Sequence, residues 1–563
     1  MAEAESQGGT TDVVVIGSGA GGGACAWALT RRGLKVLLLE AGPAYDPLSD
    51  YRLDQDDWEK TRFPEKVPIA DRQSFAPLQE LEPKWDSLRS WNRVFGPFNP
   101  ENTRRVWGYR HVVGLGGSTL HFTGEAHRMN PAAMKMRTRF GVAADWPIDY
   151  ADLEPYYTKV ERLIGVSGPA ESSGRPHDNT FPLAAHPLSY AAQKIQTGCR
   201  EIGRTWVANS MASVSSAYDG RQGCNYCGNC NRGCPRLDKG TVDITFIAKA
   251  RETGRCDIRT ECQVTQIEVG PSDRVVGVHY VDAQGNGQMA KGRAIVVACG
   301  AVETPRLLLA SHDAYSQAGL ANESRLVGQN FMETLAWIAS GLHPEPLGSH
   351  RGLPADAICW DFNAPNAIRG IIGGCRFNHA TTEASLNGPI NYAGRVVGGW
   401  GHEHKRAMAE SFGRALSIGA IGEHLPNPNS FIDLDPVKRD RFGTPLARIH
   451  AHFTESDIER LDFMARTSEE MLQASGVDEL FEKFGTYDGF DATHVFGTCR
   501  LGTDPEESVV DGFGRSHRWR NLFIADASVF PSSGGGESPS LTIEALAIRT
   551  ADHIAQRAGR GEL

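Results

Sequence analysis

Cys224, Cys227, Cys230 and Cys234 lie in the run GCNYCGNCNRGCP, four of the chain's 12 cysteines in one short stretch. The spacing is C-x2-C-x2-C-x3-C followed by proline. It lets a short loop wrap several thiolates around one compact centre, and soft sulfur ligands suit an iron–sulfur cluster or zinc. A [4Fe–4S] cluster would use all four thiolates and a [3Fe–4S] cluster three, with four-thiolate structural zinc as the lesser alternative. Disulfides are disfavoured between cysteines three residues apart and in a reducing compartment. The other eight cysteines (Cys25, Cys199, Cys256, Cys262, Cys299, Cys359, Cys375 and Cys499) are scattered and read as free thiols.

A second chemical signature opens the chain. Gly17, Gly19 and Gly22 form G-x-G-x-x-G between an apolar run and a helical one. Gly17 permits the tight turn, Gly19 lets the backbone approach a pyrophosphate, and Gly22 allows close helix–strand packing. The free N–H groups of the helix N-terminus favour the phosphates. Glu40 closes the next strand, where its carboxylate can accept hydrogen bonds from ribose hydroxyls. The loop predicts a dinucleotide and by itself does not choose between FAD and NAD.

These residues need elements to hold them. DVVVI (12–16) predicts a strand, ACAWALTRRG a helix and KVLLLE a second strand. YADLEPYYTKVERLIG (150–165) reads as a helix. KGRAIVVACG (291–300) reads as a strand, followed by a helix over 303–311 with Pro305 in its first turn. From 331 to 490 the pattern is strand-like, broken by one helix that Thr454 caps and Gly476 ends. NLFIADASVF is a strand, and the tail SLTIEALAIRTADHIAQRA an amphipathic helix. Nucleotide-type strands therefore fall at the start, middle and end. That order predicts an α/β chain (α+β overall) with a discontinuous nucleotide-binding domain over 10–165, 240–330 and 490–560. A Cys-rich segment would occupy 166–239 and a substrate-binding domain 331–489.

Composition fits a packed globular protein: 563 residues, 40% hydrophobic and 22% charged. A net charge of −10 argues against nucleic acid as a partner. MAEAESQGGTTDVVVIG lacks the basic start and apolar core of a secretory signal, and no apolar run is long enough to span a bilayer. The expectation is a cytoplasmic protein, with periplasmic export alongside a signal-bearing partner left open.

LLLEAGP, GLGGSTLHF (114–122), WPIDYADLEPYY (146–157), THVFGTCRLG (493–502) and NLFIADASVFPSS (521–533) occur in that order. The series resembles the glucose–methanol–choline (GMC) oxidoreductase family, in its branch of bacterial sugar and glycoside dehydrogenases with a Cys-rich iron–sulfur insertion. The resemblance implies a Rossmann-like FAD-binding domain and an inserted substrate domain whose antiparallel β-sheet roofs the flavin. It adds Gly117, Ser118, His121, Val264 and Asp526 to Gly17, Gly19, Gly22 and Glu40 as FAD contacts. His121 is expected beside the flavin, with a covalent histidyl–flavin bond as the alternative.

His494, in HVFGTC, matches the family's catalytic histidine. A neutral imidazole suits a base that takes a hydroxyl proton. The family's second catalytic position, His or Asn, falls on Ser538 in ESPSLTIEA, a departure from the pattern. Its hydroxyl could bond the substrate oxygen in place of an amide. Glu537 could do so instead, or Ser538 could be a helix N-cap. His402, His404 and Glu423 are further candidates for substrate contacts.

The implied function is an FAD-dependent dehydrogenase that oxidises an alcohol group of a sugar, glycoside or amino sugar, with hydride passing to flavin N5. A cluster at Cys224–Cys234 would carry electrons singly to a cytochrome, quinone or carrier. An oxidase using O2, a non-redox FAD-containing lyase and a non-catalytic electron-transfer subunit are the rival readings.

Overall fold

Val13–Ile16 (VVVI) and Val36–Leu39 (VLLL) are buried at every position. Unbroken apolar runs of this kind belong in a parallel sheet covered on both faces. The computed structural model describes residues 11–60, 63–64, 66, 72–106, 108–170, 175–177, 180–490 and 493–563. Residues 1–10, part of the stretch read above for a secretory signal, lie outside them. The parallel sheet has the order Cys256–Arg259, Val36–Leu39, Val13–Ile16, Ala294–Val297, Leu522–Ile524. Strands from the start, middle and end of the chain thus lie side by side, as the apolar runs predict. Helix Ser540–Gly559 packs against Ala20–Arg31 and Tyr150–Ile164.

The helix after Ala294–Val297 begins earlier than its sequence suggests. It spans Gly300–Ala310, so Pro305 lies in its second turn rather than its first. Proline has no N–H to give the carbonyl four residues back. Here that carbonyl, of Ala301, accepts instead from the Thr498 hydroxyl at 2.9 Å. Tertiary structure thereby satisfies the group that the proline leaves open.

The second sheet has eight strands, antiparallel throughout. Its order is Gly96–Pro97, Trp91–Asn92, Glu479–Gly485, Leu335–Leu342, Ala415–Gly422, Cys375–His379, Ala357–Cys359, Val207–Ala208. Helix Glu455–Ala474 packs on it. The Thr454 hydroxyl accepts from Asp457 N, and the Asp457 carboxylate accepts from Thr454 N, a reciprocal cap. Two helices in this region, Pro389–Arg395 and Gly401–Ser411, carry no clear sequence signal, because the glycines around them mask the period. Among the described residues no helix is long and apolar enough to cross a membrane.

Candidate active site

A cavity of about 440 Å³ lies between the two sheets. Ile16, Leu39 and Ala298, at or just beyond the C-terminal ends of parallel strands, form one wall. Trp337, Ile338, Ile421 and Phe484 come from three antiparallel strands and form the opposite one. Ligands of open α/β sheets bind at this end of the strands.

Gly17, Ser18 and Gly19 line the cavity where the first strand turns into the first helix. Gly17 has φ +91°, and a Cβ there would sit 2.5 Å from the Ala298 carbonyl oxygen. A Cβ on Gly22 would overlap the Gly17 carbonyl, so this glycine seats the helix and does not line the cavity. Glu40 is buried and fixes the loop. Its Oε2 accepts from Ser18 N (3.0 Å) and Ser18 Oγ (2.6 Å), and its Oε1 accepts from Gly42 N at 2.8 Å. Burial pushes its pKa up against those hydrogen bonds. Asp526 Oδ2 accepts from Gly300 N (3.0 Å) and Thr304 Oγ1 (2.6 Å), which caps the Gly300 helix. Gly117, Ser118, His121 and Val264 line the same space. A Gly-rich cradle, a helix N-terminus and a buried ribose-height carboxylate on one cavity fit a bound dinucleotide.

His494 lines the cavity just before the strand Val495–Phe496. Among the described residues its Nδ1 has no partner. Burial first, then the Arg376 guanidinium, push its pKa down to about 4, with Glu125 opposing. The imidazole is therefore neutral near pH 7, as a base must be. Ser538 lines the cavity as well. Its Oγ donates to Glu125 Oε2 at 3.0 Å, so the oxygen's lone pairs are left to accept from a substrate hydroxyl. Helix Ser540–Gly559 begins two residues later, and Ser538 is not its N-cap. Glu537 does not line the cavity; its Oε1 is taken by Asn130 N, Asn363 Nδ2 and Arg175 Nη1.

Glu125, His127, Arg376 and Glu383, in and behind this site, went unread in the sequence. Glu125 accepts from Arg376 Nη2 at 2.6 Å, and both side chains are almost wholly buried. Burial raises the Glu125 pKa, but Arg376, His127 and the Asn209 amide outweigh it and hold the carboxyl below its usual range. Arg376 also donates to Asn378 Oδ1, and Asn378 Nδ2 donates to Glu383 Oε2 at 2.8 Å. Glu125, Arg376 and Glu383 all line the cavity. His127 braces Ser538 from behind. Its Nδ1 accepts from Ser538 N (3.1 Å), which leaves Nε2–H to donate to Asn209 Oδ1 at 2.8 Å. A charge inside an apolar strand, as in CRFNH, was the available signal for Arg376. His402, His404 and Glu423 do not line the cavity; Glu423 is fully buried, and His402 is exposed.

The thiol run behaves differently from its spacing. Among the described residues no three His, Cys, Asp or Glu side chains converge on a point that could hold a metal. The iron–sulfur or zinc site that the spacing predicts is not supported by this arrangement of the four thiols. The loop turns at Tyr226 (φ +60°), Gly228 (φ +73°) and Gly233 (φ +92°), leaving Cys227 exposed and Cys230 buried. Cys230 packs with Met211 and Leu353, while the Cys234 thiol donates to Asp238 Oδ1 at 2.8 Å. Burial raises Cys224 and Cys234 to about 11. The loop still reaches the cavity, through Asn231. It is tied there by the buried Lys239 ammonium, which donates to Cys230 O (2.6 Å), Leu120 O (3.0 Å) and Phe122 O (2.9 Å). Burial first, then Lys239 and Arg110, push the nearby His121 down to about 3.

Comparison with known proteins completes the description. The family model described as GMC oxidoreductase matches residues 114–336 and 426–547, and that of an NAD(P)-binding Rossmann-like domain matches 15–44. The chain is 30% identical over 556 residues to 6'''-hydroxyparomomycin C oxidase of Streptomyces lividus, covering 97% of this chain and 91% of the relative. It is 29% identical over 556 residues to 2-methyl-1,2-propanediol dehydrogenase of Mycolicibacterium austroafricanum, covering 97% and 95%. It is 28% identical over 558 residues to the fructose dehydrogenase large subunit of Gluconobacter japonicus, covering 97% and 98%. The crystal structure of pyridoxine 4-oxidase from Mesorbium loti shares the fold, with TM-score 0.62 and 17% identity over 97% of this chain and 99% of that one.

Proposed function

The chain belongs to the GMC oxidoreductase family, and from that premise we propose that it oxidises an alcohol group of a sugar, glycoside or amino sugar to a carbonyl. It is a flavoprotein oxidoreductase acting on CH–OH groups. The observation that carries the proposal is a neutral imidazole, His494, sharing one cavity with the Gly17–Gly19 loop and with the Ser538 hydroxyl.

Gly17, Ser18 and Gly19 would hold the pyrophosphate of FAD, Glu40 its ribose, and Gly117, Ser118, His121, Val264 and Asp526 the walls around it. Bound FAD supplies the hydride acceptor. His494 takes the hydroxyl proton as the carbinol C–H bond breaks, a contribution of about 10²–10⁴ in rate for a positioned base. Ser538, its proton directed to Glu125, accepts from a neighbouring hydroxyl of the substrate and so orients the reacting one toward His494. Trp337, Ile338, Ile421 and Phe484 exclude water above the reacting carbon.

The acceptor is proposed as a cytochrome, quinone or carrier, as for a dehydrogenase; this agrees with the names of the second and third relatives given above. No electron step is routed through the thiol loop. The oxidase reading is favoured by the 30% identical relative, which is named as one. The test is anaerobic mixing with a panel of sugars and amino sugars while the visible flavin absorbance is followed. Bleaching by at least one of them is expected, and bleaching by none would refute the proposal. Oxygen uptake matching substrate oxidation mole for mole would replace the dehydrogenase by the oxidase.

A further inference from the structure

The substrate end of the cavity holds two carboxylates and one guanidinium, and the guanidinium is spoken for. Arg376 Nε donates to Gly536 O at 2.8 Å, Nη1 to Asn378 Oδ1, and Nη2 to Glu125 Oε2 at 2.6 Å. None of these bonds reaches Glu383. That carboxylate receives one hydrogen bond, from Asn378 Nδ2 to Oε2. Among the described residues its Oε1 has no hydrogen-bond partner, and the half-buried residue lines the cavity.

An enclosed carboxylate costs free energy unless it is protonated or meets a cation. The cationic and titratable groups near it are few. Arg376 is committed as above. His379 is engaged at both nitrogens, by Asp356 Oδ1 (2.8 Å) and Thr381 Oγ1 (3.0 Å). Glu125 adds repulsion, and burial with that repulsion pushes the Glu383 pKa up to about 7. Among the described residues no cation pairs directly with this acid at the wall of the substrate cavity; Arg376 and His379, the nearest, are engaged elsewhere. A substrate can supply one.

We propose that Glu383 is the subsite for a protonated amino group on the substrate, so that this site selects amino sugars over their hydroxyl counterparts. The inference rests on the proposed alcohol oxidation at His494 and narrows its substrate class. The chain Glu125–Arg376–Asn378–Glu383 fixes the geometry. His494 and Ser538 mark the reacting end of the substrate, and Glu383, three hydrogen bonds from Glu125 along that chain, marks where the ammonium sits. A charge-assisted hydrogen bond in an enclosed site is worth about ten-fold or more in affinity over a neutral one.

The experiment titrates the holoenzyme anaerobically with D-glucose and with its three monoamino analogues at C2, C3 and C6. Half-saturation is read from flavin fluorescence, and reduction from visible absorbance. At least one amine is expected to half-saturate at a concentration about ten-fold or more below glucose. In Glu383→Gln, which keeps the shape and the Asn378 contact, that preference should shrink to within about two-fold, while Glu383→Asp should retain part of it. Flavin content and the melting temperature of each variant check that the fold is kept. Equal half-saturation by glucose and all three amines, or a preference that survives Glu383→Gln, overturns the subsite. Absence of flavin reduction by any alcohol in the wider panel refutes the oxidation instead, so the two failures are distinguishable.

Discussion

Replacing His494 by alanine, and following the acid limb of the wild-type enzyme, tests the central base from two sides. Burial and Arg376 move the His494 pKa from an ordinary 6.5 to about 4. At pH 7 an ordinary imidazole is protonated in about one molecule in four, and this one in about one in a thousand. Activity that needs the neutral base should then hold steady from pH 7 downward and be half lost only near pH 4, in a steady-state kcat/KM profile.

The same shift makes a linked claim about stability. The unfolded chain protonates this ring near 6.5, whereas the folded chain resists until about 4. Stability therefore drops as pH falls through that window, by about 3 kcal/mol from this group alone. Each kinetic point must be paired with circular dichroism and bound-flavin measurements, so that acid unfolding is not read as titration of the base. His494→Ala should lower kcat/KM by about 10²–10⁴ while flavin content stays at the wild-type level. An acid limb near 6.5 in protein shown to be folded, or an alanine variant of undiminished kcat/KM, would refute the reasoning.

Other outcomes follow from single contacts. Glu423 is fully buried, both its carboxylate oxygens lack partners among the described residues, and burial raises its pKa from 4.5 to about 7. The wild-type chain is thus penalised as pH rises above 4.5, up to about 3 kcal/mol once the folded group ionises. Glu423→Gln should accordingly raise the urea midpoint at about pH 8 and leave it nearly unchanged at about pH 4. Ser538→Ala should cut kcat about ten-fold or more with flavin content intact, since Glu125 keeps its bonds from Arg376 and Asn209; an unchanged kcat would remove Ser538 from the site. Gly17→Ala puts a Cβ against the Ala298 carbonyl at φ +91°, and should yield protein that retains little flavin after gel filtration.

The sequence by itself determined the parallel sheet and its cradle. Val13–Ile16, Val36–Leu39 and Ala294–Val297 are apolar at every position because both faces are covered, and Gly17 is glycine because the turn needs positive φ. Such requirements act over a few residues, so they show in a local pattern. The family resemblance placed His494 and Ser538, which the fold brings to one cavity. What surrounds them was decided elsewhere. Ser538 meets Glu125 across 413 residues of chain, and Arg376 meets the same carboxylate across 251. No local period encodes a pairing of that range; only the stacking of the antiparallel sheet over the nucleotide sheet creates it. The cysteines make the same point in reverse. Their spacing suits a metal, yet packing treats each thiol differently: Cys227 is exposed, Cys230 is buried and Cys234 donates to Asp238. Spacing fixes which ligands a loop can offer, whereas the packing around the loop fixes which of them can meet.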